Sequence, residues 1–252
     1  MNVLLTLSFK GAAYHGFQVQ KNGVTVAGVF QDALEGLLGF RPDIKGCGRT
    51  DAGVHALKYA LSFRCEGLSL PLEKLPLALN FRLPPDIRVL KAQPVPEDFH
   101  ARYSAHWKTY CYHIWNSPVE SPFEAEYSHR VSPPLDLAAM EETAARLKGR
   151  HDFAPFCSAG SSVAEKGDTV RTLRECRVAK QGSRVLLTFT ADGYLYNMVR
   201  ILSGTLVETG LGKRSPESVE EIFRRGQRSL AGPTLPAKGL FLVDVEYPGL
   251  VL

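Results

Sequence analysis

The chain has 252 residues, of which 44% are hydrophobic and 22% charged, an ordinary balance for a globular protein with a core of its own. Thirty Lys and Arg against 26 Asp and Glu leave a net charge of +4, which favours an acidic partner without requiring one. The five cysteines, Cys47, Cys65, Cys111, Cys157 and Cys176, come no closer than 18 residues apart, which excludes a C-x-x-C zinc or redox pair and reads as reduced core thiols. No run of 18 apolar residues argues for a membrane span, and the first residues read as an opening strand rather than a signal peptide, so a cytoplasmic protein is expected.

Val3–Phe9 alternates, with Leu5, Leu7 and Phe9 on one face, and predicts a strand. Val26, Phe30, Ala33, Leu34 and Leu37 then recur at helical spacing over Val26–Leu38. Leu57–Cys65 alternates again, a short helix is expected over Leu72–Leu79 although Pro76 weakens it, and Ile87–Leu90 is a further strand. After the Pro-containing stretch Ala92–Pro96 a second cycle begins. His106–Trp115 alternates as a strand; Leu137, Met140, Ala144 and Leu147 mark a helix with Asp136 as N-cap and Gly149 just beyond its end. Strands are expected at Val170–Val178 and Arg184–Thr190, and a helix from Tyr194 to Thr209 that Gly210 stops. Ser215-Pro216-Glu217 caps another helix, and Leu240–Tyr247 is the closing strand. Strands separated by helices, twice over, give an α+β fold of two similar halves, with domains at 1–100 and 101–252.

The most informative stretch is Gly46–Ala56, GCGRTDAGVHA. Three glycines in eight residues ahead of a strand specify backbone shape, and two charged side chains, Arg49 and Asp51, sit in that shape. Taken alone, a tight turn with a surface Arg–Asp pair explains it. A phosphate cradle does not, because neither G-x-x-x-x-G-K-[ST] nor G-x-G-x-x-G is present. Tyr110 taken alone is a strand aromatic, Arg200 a solvated helix arginine beside Tyr196, Asn197 and Ser203, and Leu240 a core leucine.

Gly48–Ala56 resembles the signature loop of the tRNA pseudouridine synthase A family. Phe9–Gln18, Leu83–Ile87, Phe99–Arg102, Lys108–Tyr112, Gly149–Phe153, Asn197–Arg200 and Ala231–Thr234 are similar to the family's other landmarks, in order along nearly the whole chain. Departures are Phe17 where many relatives carry Trp, Cys47 before the signature glycine, and Leu235 within a usual Pro-Thr-Ala-Pro run. The resemblance implies a pseudouridine-synthase type fold with largely antiparallel sheets flanked by helices and an active-site cleft between the halves. It implies isomerisation of uridines in the anticodon stem-loop of tRNA, at positions 38, 39 and 40. It makes Asp51 the essential carboxylate, as nucleophile, cation stabiliser or base; Tyr110 the ring against the uracil; Arg200 the partner of Asp51; and Leu240 an apolar closure of the pocket. It implies a homodimer that binds tRNA across both subunits, with no metal, no cofactor and no membrane.

Basic side chains cluster around the matched motifs: Arg49, Arg82, Arg102, Lys108, Arg150, His151, Arg171 and Arg174. Arg49, beside Asp51, is the one expected to contact RNA. Modification of other RNA sites is the alternative within this class. A non-catalytic RNA-binding module would have no use for the glycine-framed Asp51, and a glycoside hydrolase needs a second carboxylate that the motifs lack.

Overall fold

The computed structural model describes residues 1–68, 70–160 and 167–252. They form two compact units, Met1–His106 together with Phe241–Leu252, and Trp107–Leu240. Both are α+β with largely antiparallel sheets, the class expected. The units do not follow a linear split at residue 100. The chain's last strand rejoins the first unit, because Phe241 and Leu242 pair in parallel with His55 and Ala56.

In the first unit β1 (Asn2–Phe9) lies between β3 (His55–Arg64) and β4 (Ile87–Val95), antiparallel to both. β2 (Ile44–Gly46) pairs antiparallel with β3, and β10 (Leu240–Glu246) lies on the far side of β3. The alternation in β1 is real, yet Asn2–Leu7 are buried on both faces, so this sheet is covered on both sides at β1. β4 runs on past the expected Ile87–Leu90 into the Pro-containing stretch, through Pro94. It is the outer strand of this unit's sheet, where a missing N–H need not break a ladder. Helix α1 (Val26–Leu38) is capped by Thr25, whose hydroxyl accepts from Gly28 N, and ends at Gly39 with φ 77°. The expected Leu72–Leu79 helix is one 3-10 turn, Leu72–Lys74, followed by α2 (Leu75–Asn80). Pro76 cannot donate to a preceding turn and so stands at the start of the α-helix.

In the second unit the strands run β5 (Trp107–Asn116), β9 (Arg184–Ala191), β8 (Val170–Gln181), β7 (Gly149–Asp152), all antiparallel neighbours, and β6 (His129–Val131) pairs with β5. β8 and β9 form a hairpin around Gly182-Ser183, Gly182 supplying φ 61°. Helix α3 (Leu137–Leu147) packs on β8, capped by Asp136 accepting from Ala139 N at 3.1 Å. Gly149 follows its last turn at φ 120°.

Helix α4 (Met198–Gly210) is shorter than expected. Tyr194–Asn197 lie outside it, because Tyr194 Oη is held at 2.8–2.9 Å from the Phe189 and Lys108 carbonyls and Asn197 adopts φ 61°. The helix is buried nearly all round, and only Arg200 and Glu208 are less than fully buried. The polar face expected to hold Ser203 beside Arg200 therefore does not exist. Ser203 Oγ instead turns back to the Val199 carbonyl at 2.8 Å. Helix α5 (Ser218–Arg225) follows the Ser215–Glu217 turn, where the Ser215 carbonyl accepts from Ser218 N.

Candidate active site

In the first unit the Asp51 loop is built by backbone contacts. Val54 N donates to the Asp51 carbonyl at 3.2 Å, and Gly53 in the third position of that turn has φ 81°, as a type II turn requires. The opening segment holds the loop from both sides of Asp51: Phe17 N donates to the Thr50 carbonyl and Gly53 N to the Tyr14 carbonyl, each at 3.3 Å. That approach demands glycine. A Cβ on Gly16 would stand 2.3 Å from the Thr50 oxygen, and one on Gly11 2.0 Å from the Val54 oxygen. Gly11 N also donates to Nδ1 of the buried His55 at 3.1 Å. Tyr14 Oη donates to Asp86 Oδ1 at 2.7 Å, which ties in the Leu83–Ile87 motif. Burial first, then Asp86, pushes that hydroxyl's pKa well up.

Beneath the loop, Phe17 and Tyr59 stack with centroids 4.2 Å apart, and Tyr59 Oη donates to the Gly48 carbonyl. Asp51 is half-buried and Arg49 exposed. On the Arg49 side of the loop lies a cleft of about 440 Å³, lined among others by Lys45, Arg49, His100, Arg102 and Tyr103.

The second unit holds Tyr110, Arg200 and Leu240. Tyr110 is buried on β5 and meets Tyr194 edge-on, centroids 5.0 Å apart. Tyr112 fills the core as expected: it is wholly buried, its hydroxyl donates to the Pro236 carbonyl at 2.7 Å, and burial raises its pKa although Arg200 opposes the shift. Arg200 is gripped by its own surroundings. Nε donates to the Leu235 carbonyl at 2.6 Å and Nη1 to Asn197 Oδ1 at 2.8 Å. Asn197 Nδ2 in turn donates to Ser158 Oγ at 3.0 Å. The Ala231–Thr234 motif lies directly on α4, where a Cβ on Gly204 would meet the Pro233 oxygen at 2.0 Å and Gly232 N donates to Thr205 Oγ1. Leu240 is buried at the start of β10.

Asp51 and Arg49 thus share one loop of the first unit, and Tyr110, Arg200 and Leu240 belong to the second. Of the other basic residues, Arg82, Arg102, Arg150 and Arg174 are exposed; His151 is stacked on Phe223, and Arg171 pairs with Asp168 at 3.0 Å. Sequence reasoning missed the support that Asn197 gives Arg200. An asparagine just ahead of an apolar helix is a residue type that tolerates φ > 0, and that was the available signal. All five cysteines are buried thiols. Among the described residues no helix is long and apolar enough to cross a membrane, and no three His, Cys, Asp or Glu residues group as a metal site would need.

A family described as tRNA pseudouridine synthase matches residues 6–104 and 143–248. Proteins named tRNA pseudouridine synthase A are similar over nearly their whole length. That of Caldicellulosiruptor saccharolyticus is 41% identical over 246 residues, covering 98% of this chain and 99% of that protein. That of Thermoanaerobacter sp. strain X514 is 42% identical with the same coverage, and that of Moorella thermoacetica 44% identical over 96% of this chain and 98% of its own. With the glycine-built Asp51 loop lying inside the matched region, the chain belongs to the tRNA pseudouridine synthase family of isomerases.

Proposed function

We propose that this chain converts uridine to pseudouridine in the anticodon stem-loop of tRNA, at positions 38, 39 and 40, with Asp51 as the catalytic carboxylate. The observation that carries the reading is the loop itself: three backbone contacts and two glycine-only approaches hold a single carboxylate in a defined place. The reaction breaks the bond from ribose C1′ to uracil N1, turns the base and joins C1′ to C5; C5 then loses its proton and the freed N1 takes one up. Atoms and electrons are conserved, so no oxidant or reductant is needed. A carboxylate beside the sugar serves as nucleophile, as stabiliser of a cationic sugar, or as base. In this reading Arg200 supplies the charge that keeps Asp51 ionised, Tyr110 packs on the uracil, Leu240 closes over it, and Arg49 contacts phosphate. The enzyme works as a cytoplasmic homodimer, without metal or cofactor.

Asp51→Asn keeps the size of the side chain and removes its charge. Single-turnover pseudouridine formation on a tRNA transcript should fall at least about a thousand-fold, with tRNA affinity within a few-fold of wild type. A folded Asp51→Asn protein that turns over normally would end the assignment. Wild-type activity should persist in EDTA, given monovalent salt enough to keep the tRNA folded. Mapping pseudouridine in RNA from a strain lacking the gene separates anticodon-arm sites from others, and light scattering of the purified protein tests the dimer.

A further inference from the structure

The Phe99–Arg102 motif has no part in the chemistry proposed above, yet the fold goes to some length to fix it. Asn2 Nδ2 donates to the Phe99 carbonyl at 2.9 Å, Ala101 N donates to Ser62 Oγ at 3.1 Å, and Tyr247 Oη donates to the Ala101 carbonyl. Ala101 is wholly buried, so the chain is anchored there and the flanking side chains are presented outward. Those side chains are His100, Arg102 and Tyr103, and all three line the cleft beside the Asp51 loop.

Tyr103 is 77% exposed and stands on the wall of that cleft. The His100 ring lies 4.4 Å from it and the Arg102 guanidinium 5.7 Å from its centroid. His100 Nδ1 accepts from Arg102 N at 3.0 Å, which leaves Nε2 as the ring's donor. Burial first, then Lys45, lowers its pKa. Lys45, Arg49 and Arg102 set three positive charges against the one of Asp43, which pairs with Lys45 at 2.6 Å. A volume of about 440 Å³ falls within the roughly 300–1,000 Å³ of clefts that hold small molecules. An exposed ring with cations around it is the arrangement that takes an unpaired nucleotide, its base on the aromatic face and its phosphate on the basic rim.

We propose that this cleft is a second nucleotide subsite, which takes an unpaired nucleotide of the RNA substrate other than the target uridine, with the base on Tyr103 and the phosphate toward Arg49 and Arg102. The subsite rests on the RNA-modifying reading above and adds to it a second point of grip, one that orients the RNA strand relative to the Asp51 loop. Tyr103 and Arg102 are then positioning residues.

Tyr103→Ala should raise both Kd and KM for a tRNA transcript by about 5- to 100-fold, the loss of one base stack, and the loss should fall on these rather than on kcat. Tyr103→Phe should restore wild-type values, because the ring carries the contact. Arg102→Gln should lower the slope of log Kd against log salt by about one phosphate's worth. Ultraviolet cross-linking of transcripts bearing single 4-thiouridines should join the Tyr103 segment to a nucleotide that is not modified. Unchanged Kd and KM in Tyr103→Ala overturn the proposal while the Asp51 assignment stands. Equal losses in Tyr103→Ala and Tyr103→Phe also overturn it, since the hydroxyl would then be what matters. So does a cleft that saturates with free adenosine or uridine monophosphate at micromolar levels while tRNA fails to compete, the mark of a separate nucleotide site. An inactive Asp51→Asn protein that still shows the Tyr103 effect in binding keeps the two claims apart.

Discussion

The two units hold their functional side chains by different means. In the first, Asp51 stands on a loop shaped by main chain on main chain, with glycines at Gly11, Gly16 and Gly53 where nothing larger fits or the backbone turns the wrong way for other residues. In the second, Arg200 stands on a helix buried on almost every side, and its guanidinium is aimed by a side-chain amide and a carbonyl from the segment lying across that helix. A backbone-built site tolerates no added atom at its glycines. A site built by side chains loses function one hydrogen bond at a time and keeps its fold. The contrast makes opposite demands on substitution.

The largest effect should come from Gly16→Ala. A residue with a Cβ at φ 83° costs about 1–2 kcal/mol by conformation alone, and the Cβ would meet a backbone oxygen at 2.3 Å that has no rotamer to retreat into. Stability should fall by more than about 3 kcal/mol, and residual folded protein should be nearly inactive because Thr50 moves and carries Asp51 with it. Gly48→Ala is the control within the same motif. No atom lies within 4 Å of its added Cβ, so the change should stay within about 0.5 kcal/mol. Urea melts and single-turnover assays on both variants decide the matter. If the two behave alike, the loop is not built as described.

Of these glycines Gly48 and Gly53 were legible, because with Gly46 they make three in eight residues, framing two charges, ahead of an alternating strand, whereas Gly11 and Gly16 entered with the opening segment through family resemblance. The long strands were legible by their alternation and α1 by its helical period, whereas the short strands β2, β6 and β7 carry too few residues to show a period and were not expected. What periodicity misread was α4. Ser203 was read as sharing a polar face with Arg200, yet its hydroxyl, like those of Thr205 and Thr209, returns to the carbonyl four residues back and is buried. The end of α4 at Asn197 was misjudged because apolar residues continue past it into Tyr194 and Leu195, whose burial is tertiary. The return of the last strand to the first unit leaves no local signal, because parallel pairing of Phe241 with His55 joins residues far apart in sequence. Among candidate site residues, Asp51 stood out by its frame, whereas Tyr110, Arg200 and Leu240 carry no local mark and entered through family resemblance.

A middle-sized effect is expected at Asn197, where backbone and side-chain roles can be separated. Asn197→Gly relieves the φ 61° strain but removes the acceptor for Arg200 Nη1, whereas Asn197→Ala removes the acceptor and keeps the strain. The alanine variant should be about 1–2 kcal/mol less stable than the glycine variant. Both should lose catalysis to a similar extent, roughly 10- to 100-fold, since both leave the guanidinium less well aimed. Should the glycine variant recover activity along with stability, the second unit is governed by backbone like the first, and the contrast between them fails.

The smallest effect concerns pH, and each unit carries one reporter for it. His100 in the first unit has its pKa lowered by burial first and then by Lys45, with Arg102 adding and Asp43 opposing; His129 in the second has its pKa lowered by burial and then by Lys238. In the unfolded chain both imidazoles take up a proton near pH 6.5, while in the folded protein they do so only at lower pH. Between those values the unfolded state binds more protons, so stability rises with pH there. The contribution is complete above about pH 6.5 and is lost as pH falls through the folded values. Neither ring is deeply buried, so the change should be small beside that of Gly16→Ala. Urea midpoints compared at pH 7.5 and 5.5 should show a modest acid-side loss in wild type, reduced in His100→Gln and in His129→Gln, and reduced further in the double variant. Two resolved transitions, each flattened by only one of the substitutions, would show that the units unfold separately. A single transition that both substitutions flatten would show that they melt as one. A midpoint that rises on acidification in wild type and loses that rise in the double variant would mean that the histidines are protonated more readily in the folded protein, which the surrounding lysines argue against.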